Sequence, residues 1–259
     1  MQDIRRGGGI AEGLAPMTSD LRQASVHPND FAYHGPKPET EPGTLADLFW
    51  NNDGAVVDKW LHYLPIYERY FSRFRGSDVR FLEIGVAWGG SLNMWRRYFG
   101  DAATIYSVDV DEKCASFGGT AAEVRIGSQD DAAYLARVIE EMGGVDIVLD
   151  DGSHESRHIR ASLNALYPAL CEGGIYMIED LHCAYWPQFS GGYQAPEGIV
   201  ADVKQMIDDI HHWYHDQGEQ TAATAGTLSG IHVYDSIVVL EKATQPRPAR
   251  ARVRRGEVL

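Results

Sequence analysis

Between residues 80 and 178 the chain alternates short, continuous apolar runs with stretches of helical spacing. The runs at 80–84, 105–108, 124–126, 146–149 and 175–178 lack in–out alternation, as strands do when helices cover both sheet faces. Between them, residues 91–99 (Leu92, Trp95, Phe99), 131–142 (Leu135, Val138, Ile139, Met142) and 154–170 (Ile159, Leu163, Leu166) space apolar side chains three and four apart. That spacing predicts helices, and the alternation predicts an α/β fold with a doubly wound, mostly parallel sheet. Residues 231–234 and 237–240 are two further strands separated only by Asp235-Ser236. So short a connection permits a hairpin and forbids a parallel crossover, so the sheet is expected to end in an antiparallel strand.

Upstream, Thr44 with Asp47 three residues on is an N-cap signal, followed by Leu45, Leu48 and Phe49 on one face. A second amphipathic stretch carries Val56, Trp60, Tyr63, Tyr67, Phe71 and Phe74, with Pro65 marking a kink or restart. Residues 1–43, rich in Gly, Pro, Ser, Thr and charge, read as an irregular N-terminal arm or lid. The domain proper spans 44–243, with a Gly- and aromatic-rich loop at 182–198 and a helix at 199–214. The tail, 244–259, holds Arg247, Arg250, Arg252, Arg254 and Arg255 and is expected to be frayed and solvated, an acidic partner being the sharper alternative.

Composition narrows the function classes. The chain of 259 residues is 44% hydrophobic, enough for a core, and its net charge is −14. Such a surface repels phosphate backbones and anionic lipid, so neither nucleic acid nor a membrane is expected as a partner. No apolar run approaches the ~20 residues that cross a bilayer. The start, Met1 to Gly9, has no hydrophobic signal region, and Cys114, Cys171 and Cys183 are odd in number without CxxC spacing. Reduced thiols in a cytoplasm are the expectation. The expected partner is a small-molecule acceptor, with a homo-oligomer left open.

The chemistry lies at the strand ends. Phe81-Leu82-Glu83-Ile84-Gly85-Val86-Ala87-Trp88-Gly89-Gly90-Ser91 is a strand running into a Gly-rich turn and a helix, where a ligand can approach the backbone. The spacing is not GxGxxG, and Glu83 is a poor neighbour for a pyrophosphate but suits an amine or a positive centre. Asp109, ending the next strand, is placed to accept from ribose hydroxyls. Ser128, Gln129 and Asp130 follow the third strand, near where an adenine would lie. With Gly85, Gly89, Ser91 and Asp150, these residues describe an adenosine pocket that fits S-adenosylmethionine better than a dinucleotide.

A second constellation, Asp150-Asp151-Gly152-Ser153-His154, follows the fourth strand, and Glu179-Asp180 follows the fifth. Neighbouring strand tips lie ~5 Å apart, so Asp151 and Asp180 can converge on one hard cation such as Mg²⁺. His154 can reach a substrate hydroxyl at the same ion, and a Lewis acid plus an imidazole base ease the ionisation of a sugar hydroxyl. Other readings compete. Asp150 and Asp151 can be helix-start acids, His154 with His158 can bind Zn²⁺ with a carboxylate, and Asp150, Asp151, His154 and His158 together can build a metal-dependent hydrolase. His211, His212 and His215 read as a solvated helix end. His182 and Cys183 fall in a substrate loop without support for a catalytic thiol, and Trp186, Tyr185, Tyr193 and Tyr63 can form an aromatic platform.

The segments "FLEIGVAWGGSLNMW", "YSVDVD", "GSQDD", "IVLDDGSH", "GGIYMIEDLHCAYW" and "VYDSIVVLEKA" resemble the Mg²⁺-dependent macrolide-sugar O-methyltransferases over about residues 44–243. The resemblance implies a class I methyltransferase (Rossmann-like) fold with a seven-stranded sheet, metal ligands at Asp151 and Asp180, and a general base at His154. It also implies a third carboxylate from the helix before the first strand, for which "HYLPIYERYF" offers Glu68. The expected activity is Mg²⁺-assisted methyl transfer from S-adenosylmethionine to a sugar hydroxyl of a glycosylated natural product such as an antibiotic. A catechol or phenolic O-methyltransferase and a metal-dependent hydrolase remain as alternatives.

Overall fold

The computed structural model describes residues 31–215 and 223–258, so the first thirty residues of the expected arm lie outside it. The chain divides into two units, 1–38 and 39–259. Residues 32–43 hold turns and bends without helix or strand. Everything that follows concerns the second unit.

Its seven-stranded sheet comprises β1 (Arg80–Ile84), β2 (Thr104–Asp109), β3 (Glu123–Ile126), β4 (Val145–Asp150), β5 (Leu170–Ile178), β6 (Leu228–Val233) and β7 (Val238–Lys242) in the order β3-β2-β1-β4-β5-β7-β6. Strands β1 to β5 pair in parallel, and β7 runs antiparallel to both β5 and β6. The reversed strand therefore lies second from the edge and not at it, because the tight turn after β6 returns β7 into the slot beside β5. The helices are α1 (Leu45–Trp50), α2 (Leu64–Phe71), α3 (Gly90–Phe99), α4 (Ala132–Met142), α5 (Ser156–Leu166) and α6 (Ile199–Asp209).

Local chemistry sets these bounds. The Thr44 hydroxyl accepts from the Asp47 N–H to cap α1, and the Asp131 carboxylate accepts from the Tyr134 N–H to cap α4. The stretch 56–74 is not one amphipathic helix. Val56 and Trp60 sit in an extended loop, and Pro65 opens α2 instead of kinking it, since the first helical turn needs no N–H donor there. Likewise the 154–170 stretch is helical only from Ser156 to Leu166, and Leu170 already belongs to β5. The tail is exposed as expected but not frayed throughout, since β8 (Val253–Arg254) and β9 (Glu257–Val258) pair antiparallel. None of the described helices is long and apolar enough to cross a membrane.

Successive strand residues face opposite sides of a sheet. Phe81, Ile147, Leu149, Ile175 and Met177 pack on the side of α1–α3, with Leu45, Tyr67, Trp95 and Phe99. Leu82, Ile84, Val148, Tyr176 and Ile178 pack on the side of α4–α6, with Leu135, Leu163 and Val203. This parity governs which strand-end acids can meet, because Glu83 and Glu179 continue the first face while Asp150 continues the second.

The loop between α1 and α2 lies over the start of α3. A methyl group on Gly90 would come within 2.2 Å of the Val56 carbonyl oxygen and 2.4 Å of that of Ala55. Gly90→Ala is therefore expected to lower stability by about 1–3 kcal/mol in urea denaturation, the usual cost of overpacking. An unchanged midpoint would mean that the loop yields freely.

Candidate active site

Register brings the acids together. Asp150 pairs with Ile84 on one side and Ile178 on the other. The next residues, Asp151 and Glu179, are therefore lateral neighbours, fixed by the Asp151 N–H on the Ile84 carbonyl and the Glu179 N–H on the Asp150 carbonyl, each at 3.0 Å. Beyond them, Asp180 (φ 53°) and His154 (φ 59°) adopt left-handed backbone. At non-glycine residues this costs about 1–3 kcal/mol and turns the side chains off the strand direction. The Tyr63 hydroxyl donates to Asp180 Oδ1 at 2.7 Å, and His154 Nε2 lies 3.7 Å from Asp180 Oδ2. One ligand atom each from Asp151, His154 and Asp180 fits within a mutual 4.8 Å.

Lys59, from the loop before α2, enters this cluster from the side. Its ammonium donates to Glu179 Oε2 at 2.9 Å and to Asp151 Oδ2, with its side chain almost fully buried. Burial works to lower its pKa, but Asp151, Glu179 and Glu83 outweigh that and hold it well above the usual lysine range. The Tyr67 hydroxyl donates to the other Glu179 oxygen, Oε1, at 2.5 Å.

The turn after β1 lies beside the cluster. Gly85 has φ +98°, and a methyl group there would meet the Asp151 carbonyl at 2.2 Å. Gly89 has φ +76° and lies against the Phe117 ring, 2.5 Å from where its methyl group would be. Asp109 at the tip of β2 accepts from the N–H groups of Val86 (2.9 Å), Ala87 (3.3 Å) and Asp111 (2.9 Å). Burial pulls its pKa up, yet these three donors hold it below the usual carboxylate range. Ser128 donates to Asp130 at the open end of β3. The Tyr134 ring covers Gly127, and its hydroxyl is the one buried side-chain polar atom among the described residues without a partner. Bare glycine backbone, a fixed carboxylate on the next strand and an unpaired buried hydroxyl suit an adenosyl group. So do the polar Ser128 and Asp130.

Four of the expected cofactor residues are instead internal supports. Glu83 is fully buried and accepts from Ser91 Oγ (2.8 Å) and Trp95 Nε1 (2.9 Å), so both Glu83 and Ser91 are spent in pinning α3 to β1. Asp150 faces the α5 side, accepting from Ser162, Tyr176 and Gln129. Gln129, also buried, accepts the Ser153 N–H at 2.8 Å through its other end. Strand parity had already turned Asp150 away from Asp151.

Glu68 is not beside the metal candidates. It accepts from the Leu45 N–H (3.0 Å) and the Tyr98 hydroxyl (3.1 Å), tying α2 to α1 and α3. The buried carboxylate next to Asp151 is Glu179, whose place was readable from the alternation of β5. Lys59 had no such signal, since Asp58 precedes it and the pair reads as an ordinary charged stretch between Val57 and Trp60. His158 does not join His154: its Nδ1 bonds Ser153 Oγ at 2.8 Å and its Nε2 lies 3.6 Å from Asp130. With Asp150 and His158 both committed elsewhere, the hydrolase reading loses half of its residues. His211 and His212 bond backbone carbonyls at the end of α6. Burial pushes the Cys183 thiol up to about 12, so it stays protonated at neutral pH. The His182 ring is edge-on to Trp60 and Trp186, with centroids 5.1 and 4.6 Å away, while Tyr193 projects into solvent.

Two outcomes follow from these placements. Glu68→Ala is expected to cost about 1–3 kcal/mol in denaturant titration, the worth of two ordinary hydrogen bonds at a part-exposed carboxylate, while leaving Mg²⁺ affinity unchanged in calorimetry. Burial lifts the Glu83 carboxyl to about 7, against the opposing pull of Lys59 and Trp95, from an ordinary value of 4.5. Between those values the folded chain keeps a proton that the unfolded chain has lost, so stability falls as pH rises through that window and levels off above it. Glu83→Gln should remove that slope from unfolding midpoints measured between pH 4.5 and 7.5. A slope that persists would assign it to another group.

Residues 82–181 match the family described as a methyltransferase domain. The chain is 38% identical over 78% of its length to the 8-demethyl-8-(2-methoxy-alpha-L-rhamnosyl)-tetracenomycin-C 3'-O-methyltransferase of Streptomyces olivaceus, covering 55% of that protein. It is 36% identical over 72% to the demethylmacrocin O-methyltransferase of Streptomyces fradiae, covering 51% of it. It is 38% identical over 71% to the mycinamicin VI 2''-O-methyltransferase of Micromonospora griseorubida, covering 49%. Among solved structures, the MycE methyltransferase of the mycinamycin pathway, in complex with Mg, SAH and mycinamycin VI, superposes with a TM-score of 0.66 at 35% identity, over 72% of this chain and 50% of that one. The chain thus spans about half the length of the curated relatives it matches. Sheet order, strand-end acids and these likenesses agree: the chain has the class I methyltransferase fold and, over the half it shares with them, is similar to sugar O-methyltransferases of the macrolide and tetracenomycin kind.

Proposed function

We propose that the protein transfers a methyl group from S-adenosylmethionine to a sugar hydroxyl of a glycosylated small molecule, assisted by Mg²⁺. The observation that carries this reading is the convergence of Asp151, His154 and Asp180 within 4.8 Å at two adjoining strand tips, beside the glycine turn. The donor set suits a hard dication, since its oxygens come from carboxylates and a lysine ammonium already sits among them. Asp151 and Asp180 would hold the ion, with Glu179 as the third carboxylate in the place expected for Glu68. When bound, the ion supplies Lewis acidity towards a substrate hydroxyl.

The chain's own residues do the rest. His154 takes the hydroxyl proton as the oxygen attacks the methyl group, and Asp180 stabilises the imidazolium that forms. Asp180 is itself aimed by the Tyr63 hydroxyl. Gly85 and Gly89 expose backbone to the cofactor, Asp109 receives the ribose hydroxyls, and Ser128 and Asp130 border the adenine. Phe189, with its ring centroid 5.9 Å from that of His154, and Trp186 wall the acceptor side. Alignment of the three reacting atoms is the main contribution to rate. Relatives named for tetracenomycin, macrocin and mycinamicin substrates favour a glycosylated natural product over a catechol. A cytoplasmic location fits the three unpaired thiols.

Release of S-adenosylhomocysteine from a panel of glycosides tests the reading. Turnover is expected with at least one glycoside and should be abolished by EDTA and restored by Mg²⁺. His154→Ala should lower it by a factor of about 10² or more, with S-adenosylhomocysteine affinity nearly unchanged. Unaltered turnover would remove His154 from the mechanism, and turnover indifferent to EDTA would remove the metal.

A further inference from the structure

Lys59 is the feature of the site that methyl transfer leaves unused. The sheet carries the acids, whereas Lys59 comes from the loop between α1 and α2. The groups facing its ammonium are Asp151 Oδ2, Glu179 Oε2 and, beyond them, Glu83 from β1. The same loop is seated on the cofactor turn, where the Ala55 and Val56 carbonyls leave no room for a side chain at Gly90. Asn52 holds the loop's shape by donating to the Ala55 carbonyl at 2.8 Å. Its last residue, Trp60, is edge-on to His182, two residues past Asp180. One short segment therefore touches the metal acids, the cofactor turn and the acceptor loop.

We propose that Lys59 is a positioning residue, the resident cation that keeps Asp151 and Glu179 together before metal arrives and that then shares both carboxylates with the ion, lowering its affinity and passing its presence to the loop on the cofactor turn. The proposal rests on the reading of this cluster as a metal site. Three acids, Asp151, Glu179 and Asp180, crowd the strand tips, and without metal Lys59 is the cation in contact with two of them. An incoming dication meets an ammonium already holding two of its ligands, so like-charge repulsion and competition for the same oxygens both loosen its binding. In return the acids stay gathered and the ion stays exchangeable.

The test is calorimetric titration of Mg²⁺ into the full chain and into Lys59→Met and Lys59→Arg. The methionine variant should bind Mg²⁺ at least tenfold more tightly and gain more melting temperature from it than the wild type. The arginine variant, which keeps the charge, should stay within about threefold. Equal or weaker binding by Lys59→Met overturns the proposal while leaving the metal site standing. Absence of Mg²⁺ binding in the wild type and both variants removes the metal site and this proposal with it. Should Lys59→Met fail to fold, amide exchange in the wild type decides. Residues 52–60 should exchange faster once Mg²⁺ is added, as the ammonium gives up part of its hold, and unchanged or slower exchange sinks the idea.

Discussion

Carboxylates gathered on neighbouring strand tips repel one another by about 4 kcal/mol per pair at 4 Å and an effective dielectric of 20. Asp151, Glu179 and Asp180 crowd the ends of β4 and β5 and act on one another electrostatically, with Glu83 on β1 behind them. The layer of α1–α3 is arranged as the answer to that repulsion. Lys59 places an ammonium between two of the acids, Tyr63 and Tyr67 each give a hydroxyl to one, and Ser91 and Trp95 satisfy the fourth. No acid of the cluster relies on bulk water alone, which is the condition for burying charge without losing the fold. The cluster is therefore a property of how two layers pack, and not of the strand ends alone.

Backbone strain is concentrated at the same place. Ala87, His154, Asp180 and Ser236 all have positive φ without being glycine, and each touches the site. Ala87 gives its N–H to Asp109, Asp180 and His154 face one another, and the Ser236 hydroxyl bonds His182. Elsewhere such conformations fall in loop turns, at Ser190, Gln194 and Arg255. Left-handed residues in the turns that follow β4 and β5, His154 and Asp180, let side chains leave the sheet plane and meet in front of it. An extended continuation would have sent Asp180 to the α4–α6 face by the same parity that sends Asp150 there.

Most of the fold was legible because its signals are local and repeated. Continuous apolar runs, helical spacing and a two-residue hairpin turn each follow from nearest-neighbour geometry. The misplacements arose where a distant partner decides. Asp150, Gln129 and Glu83 look like ligand-facing acids and amides from their positions at or near strand ends, yet Ser162, Tyr176, Ser153 and Trp95 claim them from other elements. Glu68 matched a family expectation by segment, but its helix presents it to the Leu45 N–H instead. The nearness of Asp151 and Asp180 was readable because strand adjacency brings those tips together, whereas the left-handed turn that swings Asp180 towards Asp151 was not. Lys59 was not, since nothing in its own segment says that the loop folds back over the sheet.

The route by which the core controls the site runs through Tyr67. Its ring stacks on Phe71 at 5.8 Å and meets Trp95 edge-on at 5.4 Å, while Trp95 also bonds Glu83 and packs on Phe81 of β1. The hydroxyl at the far end of that ring reaches Glu179. Aromatic pairs of this kind contribute about 0.5–1.5 kcal/mol each beyond their burial, and close packing leaves the ring little freedom to shift. A few tenths of an ångström lost in the core would therefore reappear at Glu179 Oε1, and through Lys59 at Asp151. Methyl transfer is sensitive to displacements of this size, because the rate depends on holding nucleophile, methyl carbon and leaving sulfur in line. The apolar face that makes α2 a helix thus also fixes the geometry of the acids it covers.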